Sequence, residues 1–185
     1  MTSYCLFCNT TRCGLIAELL QQRLNCEAIS PKIVQRKWVK GQCFEEKKDY
    51  LPGYVFLYAR EPLPSLREAF SIDGVIRFLG EKDDGYRLRG EDERFAAMLY
   101  ENEGTIGIMK AYRVGDRIRL VDSAFSGLAG EILRVDRRKG RAEVCIRFDE
   151  KEFHVWVGFD VIGTLPENTE SEEKKESETS HGITK

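Results

Sequence analysis

Residues 114–148 read "VGDRIRLVDSAFSGLAGEILRVDRRKGRAEVCIRF", and much of this stretch alternates between apolar and polar positions. Val144, Ile146 and Phe148 are apolar, with Cys145 and Arg147 between them. This period of two is typical of β-strands that bury one face. Glycines punctuate the runs at positions 127, 130, 140 and 158. Short alternating strands separated by glycine turns predict a small all-β barrel over residues 114–164.

The chain before residue 102 mixes helical and strand patterns. Residues 3–8 predict a strand with Tyr4, Leu6 and Cys8 on one face and Cys5 and Phe7 on the other. A helix follows, because apolar residues recur at helical spacing at positions 15, 16, 19, 20 and 24. We further predict strands within 28–44, at 54–58 and at 75–79, a charged loop at 45–50, and helices entered at Pro62 or Pro64 and near Glu91. These elements predict an α+β domain over residues 1–101.

Two stretches of the sequence show no clear hydrophobic periodicity. Residues 102–113 contain two glycines and are predicted to be a linker between the domains. Residues 165–185 are acidic, rich in Ser, Thr and Glu, and lack aromatic residues. Such a composition cannot bury enough apolar surface to order itself, so we predict a disordered acidic tail.

Composition excludes several classes of protein. The chain has 185 residues and a formal net charge of −2, which argues against attachment to nucleic acid by bulk charge but permits a local basic patch. The longest apolar run, near Tyr54–Ala59, is too short to span a membrane. No signal-peptide pattern is visible at the N-terminus. Six cysteines without such a signal predict reduced thiols in a cytoplasmic protein.

Cys5, Cys8 and Cys13 raise the question of a metal or redox site. Leu6 and Phe7 separate the first two cysteines and favour extended structure, in which residues three apart point to opposite faces. A metal knuckle instead needs a tight turn, and a thioredoxin-like pair needs its first cysteine at a helix N-terminus. We therefore predict small buried apolar residues and no metal site. A thiol-redox or zinc protein using these three cysteines stays as an alternative of another class.

Catalytic patterns are weak. The chain has only two histidines, His154 in a predicted strand and His181 in the tail. We find neither a convincing nucleophile–histidine arrangement nor a glycine-rich phosphate loop. The sequence predicts a protein that is not an enzyme and needs no cofactor.

Several motifs resemble the NusG family of transcription elongation factors. The barrel stretch resembles the family's KOW motif, with Gly127 or Gly130 at its tight corner. "YLPGYVFLY" (50–58) and "SIDGVIRFLG" (71–80) resemble the N-terminal (NGN) domain of that family. The resemblance covers residues 3 to about 162. It implies an NGN domain with an antiparallel sheet flanked by helices, followed by an SH3-like KOW barrel.

The match to housekeeping NusG is incomplete. Ser3 stands where the family usually has Trp, and "SAFSGLAG" (123–130) lacks the usual Pro. "RVDRRKGRAEV" and "VWVGFDVI" look closer to the specialised paralogue LoaP, and the N-terminal stretch is similar to RfaH. Both resemblances imply processive antitermination in the bacterial cytoplasm by a monomeric factor.

The resemblance implies three binding regions. An apolar surface docks on the β′ clamp helices of RNA polymerase, and the matching residues are Leu51, Pro52, Gly53 and Tyr54. The polar loop after the first strand approaches the non-template DNA strand, and its residues are Asn9, Thr10, Thr11 and Arg12. Tyr54 as part of the sheet core, and the loop as an ordinary helix N-cap, stay open as alternatives.

The third region is basic. Residues predicted to contact a leader RNA hairpin are Arg117, Arg119, Arg134, Arg137, Arg138, Lys139 and Arg141. A solvated turn offset by acidic residues is the alternative for this cluster. At the level of function, the alternative is a general NusG factor that couples polymerase to a ribosomal protein or to termination machinery. An RfaH-like switch of the second domain to a helical hairpin also stays open, although the alternation at 143–157 favours a constant barrel.

Overall fold

The computed structural model describes residues 1–60, 66–115, 117–121 and 131–166. Its first unit is built on a four-stranded antiparallel sheet with the strand order β2-β5-β1-β6. The strands are β1 (Thr2–Cys8), β2 (Glu27–Ile29), β5 (Tyr54–Ala59) and β6 (Val75–Phe78). Three helices accompany them: α1 (Cys13–Leu24), α2 (Leu66–Phe70) and α3 (Gly90–Glu101), with a short 3-10 turn at Lys82–Asp84.

Strand β1 divides the apolar core as its alternation predicts. Tyr4, Leu6 and Cys8 pack in one cluster with buried residues of α1, whereas Cys5 faces the other cluster, which contains Phe95 of α3. Strand β5 is buried along its whole length because it lies between β1 and β2 and has helices over both faces. The predicted α+β unit with an antiparallel sheet between helices is therefore present.

A second, three-stranded sheet adjoins this core. It contains β3 (Lys32–Val39), β4 (Gln42–Asp49) and β7 (Thr105–Ile106), in the order β4-β3-β7. A turn at Lys40-Gly41 joins β3 to β4. The predicted loop at 45–50 is wrong, because β4 continues to Asp49 and pairs with β3 along its length. Its charged side chains are mostly exposed, so no apolar alternation marks the strand.

The second unit is a five-stranded sheet in the order β10-β11-β12-β8-β9. Its strands are β8 (Met109–Val114), β9 (Arg117–Leu120), β10 (Glu131–Asp136), β11 (Arg141–Phe148) and β12 (Lys151–Leu165). Val144, Ile146, Val155 and Val157 are buried as the predicted alternation requires, but the intervening Cys145 is buried as well. The all-β character of this unit is thus as expected.

The predicted linker contains regular structure. Strands β7 and β8 lie within or begin inside residues 102–113, and β8 pairs in parallel with β12. Pairing of β7 with β3, and of β8 with β9 and β12, orders this stretch, and β8 buries Met109 and Ala111. The domain boundaries drawn from the sequence stay a prediction.

Several predicted features lie outside the described residues. They are the corner glycines Gly127 and Gly130, the entry to α2 at Pro62 or Pro64, and the tail from residue 167 onward. Leu165, placed in the tail by its sequence, ends β12. Within the described ranges, no helix has both the length and the apolar character needed to cross a membrane.

Candidate nucleic-acid interface

An arginine-rich cleft opens on the second unit. Its volume is about 980 Å³, and it is lined by parts of β9, β10, β11 and β12. The cleft contains one tryptophan, Trp156, together with five arginines: Arg117, Arg134, Arg137, Arg138 and Arg141. We call this feature the Arg–Trp cleft.

Strand register builds the Arg–Trp cleft. Trp156 of β12 lies opposite Glu143 of β11, and Glu143 lies opposite Arg134 of β10. Three neighbouring strands therefore present these side chains side by side on the face opposite the buried valines. The guanidinium carbons of Arg134 and Arg141 lie 5.2 and 4.4 Å from the centroid of the Trp156 ring. Both distances are within the range of cation–π attraction.

Two of the five arginines form ion pairs among the described residues. Arg134 pairs with Glu143 at 3.1 Å, and Arg141 pairs with Asp136 at 3.4 Å. Arg117, Arg137 and Arg138 are exposed and also line the cleft. The cleft thus combines several guanidinium groups with an aromatic ring, which are the two features that attract the phosphates and bases of unpaired nucleic acid.

The structure brings together most of the residues predicted to contact RNA. Five of the seven line the Arg–Trp cleft, whereas Arg119 and Lys139 are not among its lining residues. Lys139 instead lines a smaller recess with Arg141, Gln35 and Arg36. Sequence reasoning missed Trp156, although its place on the polar side of the alternating run "FHVWV" identifies it as an outward-facing aromatic residue.

The predicted DNA-contacting loop is exposed between β1 and α1. Asn9, Thr10 and Thr11 are exposed, and Arg12 is partly exposed. The Asn9 side-chain oxygen accepts hydrogen bonds from the Thr11 backbone N–H (3.1 Å) and from the Thr11 hydroxyl (2.9 Å). Arg12, which precedes the first helical residue, forms an ion pair with Asp73 and makes no side-chain cap. The loop is therefore a self-bonded turn rather than a helix N-cap through Asn or Thr.

The predicted polymerase-contacting residues are mostly inaccessible. Pro52 is exposed, but Leu51, Gly53 and Tyr54 are buried. Gly53 has φ +96, and a Cβ there would lie 2.7 Å from Cε2 of Phe7 and 3.3 Å from the carbonyl oxygen of Cys8. Only glycine fits both the positive φ and this close approach. Gly53 is therefore required for the turn that begins β5.

Tyr54 is covered by the turn between β11 and β12. We call residues 148–151, which form this turn and its flanking pair, the docking hairpin. Phe148 is 1% exposed, and its ring centroid lies 5.3, 5.0 and 5.2 Å from those of Tyr54, Phe56 and Phe95. All three partners belong to the first unit. Phe148 therefore inserts between strand β5 and helix α3 as an aromatic plug.

Polar contacts surround this plug. The Tyr54 hydroxyl donates to the Asp149 carboxylate (3.0 Å) and accepts from the Lys151 ammonium (2.9 Å). Arg77 and Lys151 both pair with the same carboxylate, at 3.2 and 2.7 Å. Burial raises the pKa of Asp149, but hydrogen bonds from Lys151 and Tyr54 outweigh this effect and hold the pKa below its usual range. In the docked hairpin the Asp149 carboxyl is therefore ionised at neutral pH.

A second contact joins the units along β3 and β12. Arg36 forms a two-pronged ion pair with Asp160, with N–O distances of 2.7 and 2.8 Å. The Gln35 amide donates to the Trp156 carbonyl at 2.8 Å. Hydrogen bonding from Arg36 lowers the pKa of Asp160. One face of the first unit therefore contacts the backbone behind the Arg–Trp cleft.

The N-terminal cysteines face different surroundings. Cys5 and Cys8 lie in separate core clusters, and burial raises the pKa of both thiols, that of Cys8 to about 12. Burial also raises the pKa of Cys13, whose sulfur accepts a hydrogen bond from the Gly53 N–H at 3.3 Å. These protonated thiols are poor nucleophiles.

A search against models of protein families gives no match, and neither does a search of curated proteins. A solved structure from work on domain interaction in Thermotoga maritima NusG is similar, with a TM-score of 0.49 and 16% sequence identity. The alignment covers 85% of this chain and 93% of that chain.

Proposed function

We propose that this chain is a NusG-like transcription factor that binds structured leader RNA through the Arg–Trp cleft and suppresses pausing and termination. One observation carries the proposal: five arginines and Trp156 line one cleft on the second unit. The motifs at 50–58, 71–80 and 114–148 supply the link to transcription, and the α+β unit followed by an all-β unit agrees with it. Such a factor works in the bacterial cytoplasm and is not an enzyme.

The cleft favours RNA with an unpaired base next to a helix. Phosphates are attracted by the exposed Arg137 and Arg138, while a loop base stacks near Trp156. Arg134 and Arg141 already lie against that ring, so they must shift or share it with the base. Guanidinium groups themselves stack on bases, which makes this exchange inexpensive.

We propose that the loop Asn9–Arg12 contacts the non-template DNA strand. Asn9, Thr10 and Thr11 are exposed, and the loop's hydroxyl and amide groups suit contacts to phosphates or base edges. Arg12 must exchange its ion pair with Asp73 for a phosphate. Because the Asp73 side chain is 88% exposed, this pair contributes little stability and is easily exchanged.

Polymerase binding through Leu51–Tyr54 requires the docking hairpin to leave. Tyr54 is 2% exposed and in ring contact with Phe148 and Phe153 of the second unit. A clamp helix and the docking hairpin cannot occupy the same surface. The proposal therefore includes two arrangements of the units, of which the docked one is inactive toward polymerase.

An RNA-binding measurement tests the cleft. Wild-type protein is titrated with a fluorescent RNA hairpin carrying a single-stranded loop, at several salt concentrations. Charge reversal of Arg137 and Arg138 lowers affinity and reduces the dependence on log salt by about 1 for each lost phosphate contact. Trp156→Ala costs about 1–3 kcal/mol if a base stacks there. Arg94→Glu, at an exposed α3 position away from the cleft, is the matched control. Unchanged affinity in the cleft variants would falsify the RNA assignment.

A transcription assay separates the specialised factor from a general one. Purified RNA polymerase transcribes through an intrinsic terminator with and without an upstream leader that forms an RNA hairpin. Readthrough that depends on the leader and is lost on Trp156→Ala supports the proposal. A uniform effect on all templates instead supports a general elongation factor that couples polymerase to the ribosome or to termination machinery.

A further inference from the structure

A second cluster on the second unit has a different chemistry from the Arg–Trp cleft. Cys145 of β11 lies directly opposite His154 of β12, and Glu152 precedes His154 by two residues on the same strand. Cross-strand partners share a face, as do residues two apart on one strand. One thiol, one imidazole and one carboxylate therefore lie on a single face of the hairpin.

We propose that Cys145, Glu152 and His154 form a zinc site with three protein ligands and one open coordination position. The sulfur, a ring nitrogen and a carboxylate oxygen all lie within 4.8 Å of one another. Tetrahedral zinc, with bonds of about 2.0–2.3 Å, holds its ligand atoms roughly 3.3–3.8 Å apart. Small rotations of the exposed Glu152 and His154 side chains close this difference, because the backbone register has already aligned the three residues.

The donor types favour zinc over other divalent ions. Thiolate and imidazole are preferred by zinc, whereas magnesium and calcium prefer oxygen ligands. Cys145 is 7% exposed, so the sulfur is shielded, while the exposed Glu152 and His154 leave a path from solvent. Glu152 now pairs with Arg147 at 3.1 Å, and the exposure of both side chains makes that pair weak.

This cluster differs from the N-terminal cysteines because its side chains lie on one shared face. Cys5 and Cys8 point into separate cores, whereas Cys145 and His154 face each other across one strand pair. Zinc at this position links β11 to β12 a few residues from the docking hairpin. The site is independent of the proposed RNA-binding function, since none of its three ligands lines the Arg–Trp cleft.

Cobalt binding tests the proposal on the full chain. Protein stripped of metal by a chelator, under reducing conditions, is titrated with Co²⁺ and then with Zn²⁺. We expect a thiolate-to-cobalt charge-transfer band that saturates at one equivalent and is displaced by Zn²⁺. Cys145→Ser abolishes the band, and His154→Asn and Glu152→Gln each weaken the metal affinity at least about tenfold. Cys43→Ser, at an exposed cysteine outside the cluster, and His181→Asn leave the titration unchanged.

A thermal measurement keeps the test decisive if Cys145→Ser folds poorly. Zn²⁺ raises the unfolding midpoint of the wild type and of Cys43→Ser, but not that of His154→Asn, whose substituted side chain is exposed. Absence of a thiolate band in the wild type, or a band that survives both Cys145→Ser and His154→Asn, overturns the site. Loss of the band in Cys43→Ser assigns the metal elsewhere and overturns it as well.

Discussion

Two hairpins of this chain have similar turns and opposite surroundings. The turn between β3 and β4 uses Lys40 and Gly41, with φ values of 50° and 80°, and the docking hairpin uses Asp149 and Glu150, with 52° and 58°. Each is a two-residue loop, Val39 pairing with Gln42 and Phe148 with Lys151. Positive φ at both central residues is the pattern of a type I′ turn, which matches the twist of paired strands.

What differs is the environment of the flanking side chains. The β3–β4 hairpin exposes Trp38 (57%), Val39 (42%) and Phe44 (49%), whereas the docking hairpin buries Phe148 to 1%. The docking hairpin also places Asp149 among Tyr54, Arg77 and Lys151. Because the two turns share one backbone geometry, the turn type does not decide whether the flanking side chains are buried. Contact with the first unit buries those of the docking hairpin.

Removing the aromatic plug has the largest expected effect. Phe148→Ala lowers the free energy of unfolding by about 3–5 kcal/mol, because it empties a buried space among three aromatic rings. Phe44→Ala, in the exposed hairpin, changes it by less than about 0.5 kcal/mol. Urea unfolding followed by tryptophan fluorescence measures both. Equal effects of the two substitutions would show that Phe148 is not docked in solution.

Neutralising Asp149 is expected to have the next largest effect on the free energy of unfolding. Asp149→Asn is expected to cost about 1–2 kcal/mol at neutral pH, since the charged hydrogen bonds to Tyr54, Arg77 and Lys151 are only partly exposed to water. Asp49→Asn removes the pair with Lys32 at the open end of the other hairpin, where the carboxylate is 44% exposed against 21% for Asp149, and costs less than about 1 kcal/mol.

The sign of the pH dependence follows from the lowered pKa of Asp149. Its contribution is present above the usual Asp pKa and is lost as the pH falls through the lowered value. Burial raises the pKa of neighbouring Asp92, which acts in the opposite direction. The difference between wild type and Asp149→Asn reports on Asp149 together with its smaller charge effect on the Asp92 pKa, and it should shrink below about pH 4. A difference that stays constant across this range contradicts the assigned ion pairs.

Glycine substitutions at the positive-φ residues of the two turns are expected to change the free energy of unfolding by a smaller amount. Glu150→Gly and Lys40→Gly both remove a side chain from a residue with positive φ. Each is expected to raise the free energy of unfolding by about 0.5–1 kcal/mol, because left-handed backbone costs less for glycine than for Glu or Lys. Equal gains, measured by urea unfolding, show that the two turns are alike apart from docking. A loss in Glu150→Gly alone shows that the Glu150 side chain contributes to docking.

The sequence predicts the elements whose side chains alternate. Strand β1 was predictable because residues of both its faces are apolar, and the strands around Val144 and Val155 because one face of each is apolar. Strand β4 was not, because its residues are mostly exposed on both faces and its order comes from pairing with β3. Strand β8 differs, because it buries Met109 and Ala111, and its partner β12 lies some fifty residues further along the chain.

The candidate site was predictable in part. The run "DRRKGR" identifies clustered cations, since a short turn keeps neighbouring residues close. Trp156 joins them only through the register of three strands, and Cys145 meets His154 in the same way. Docking of Phe148 on Tyr54 depends on how two units pack, which no local pattern encodes.

The smallest expected effect is that of a substitution in the exposed β3–β4 hairpin. Trp38→Ala changes the free energy of unfolding by less than about 0.5 kcal/mol, because its ring is 57% exposed and lies opposite the exposed Cys43. Urea unfolding measures the change, with Trp156 as the remaining fluorescent reporter. A loss above 1 kcal/mol would mean that the β3–β4 hairpin also packs against another surface. The contrast between a free and a docked hairpin would then no longer hold.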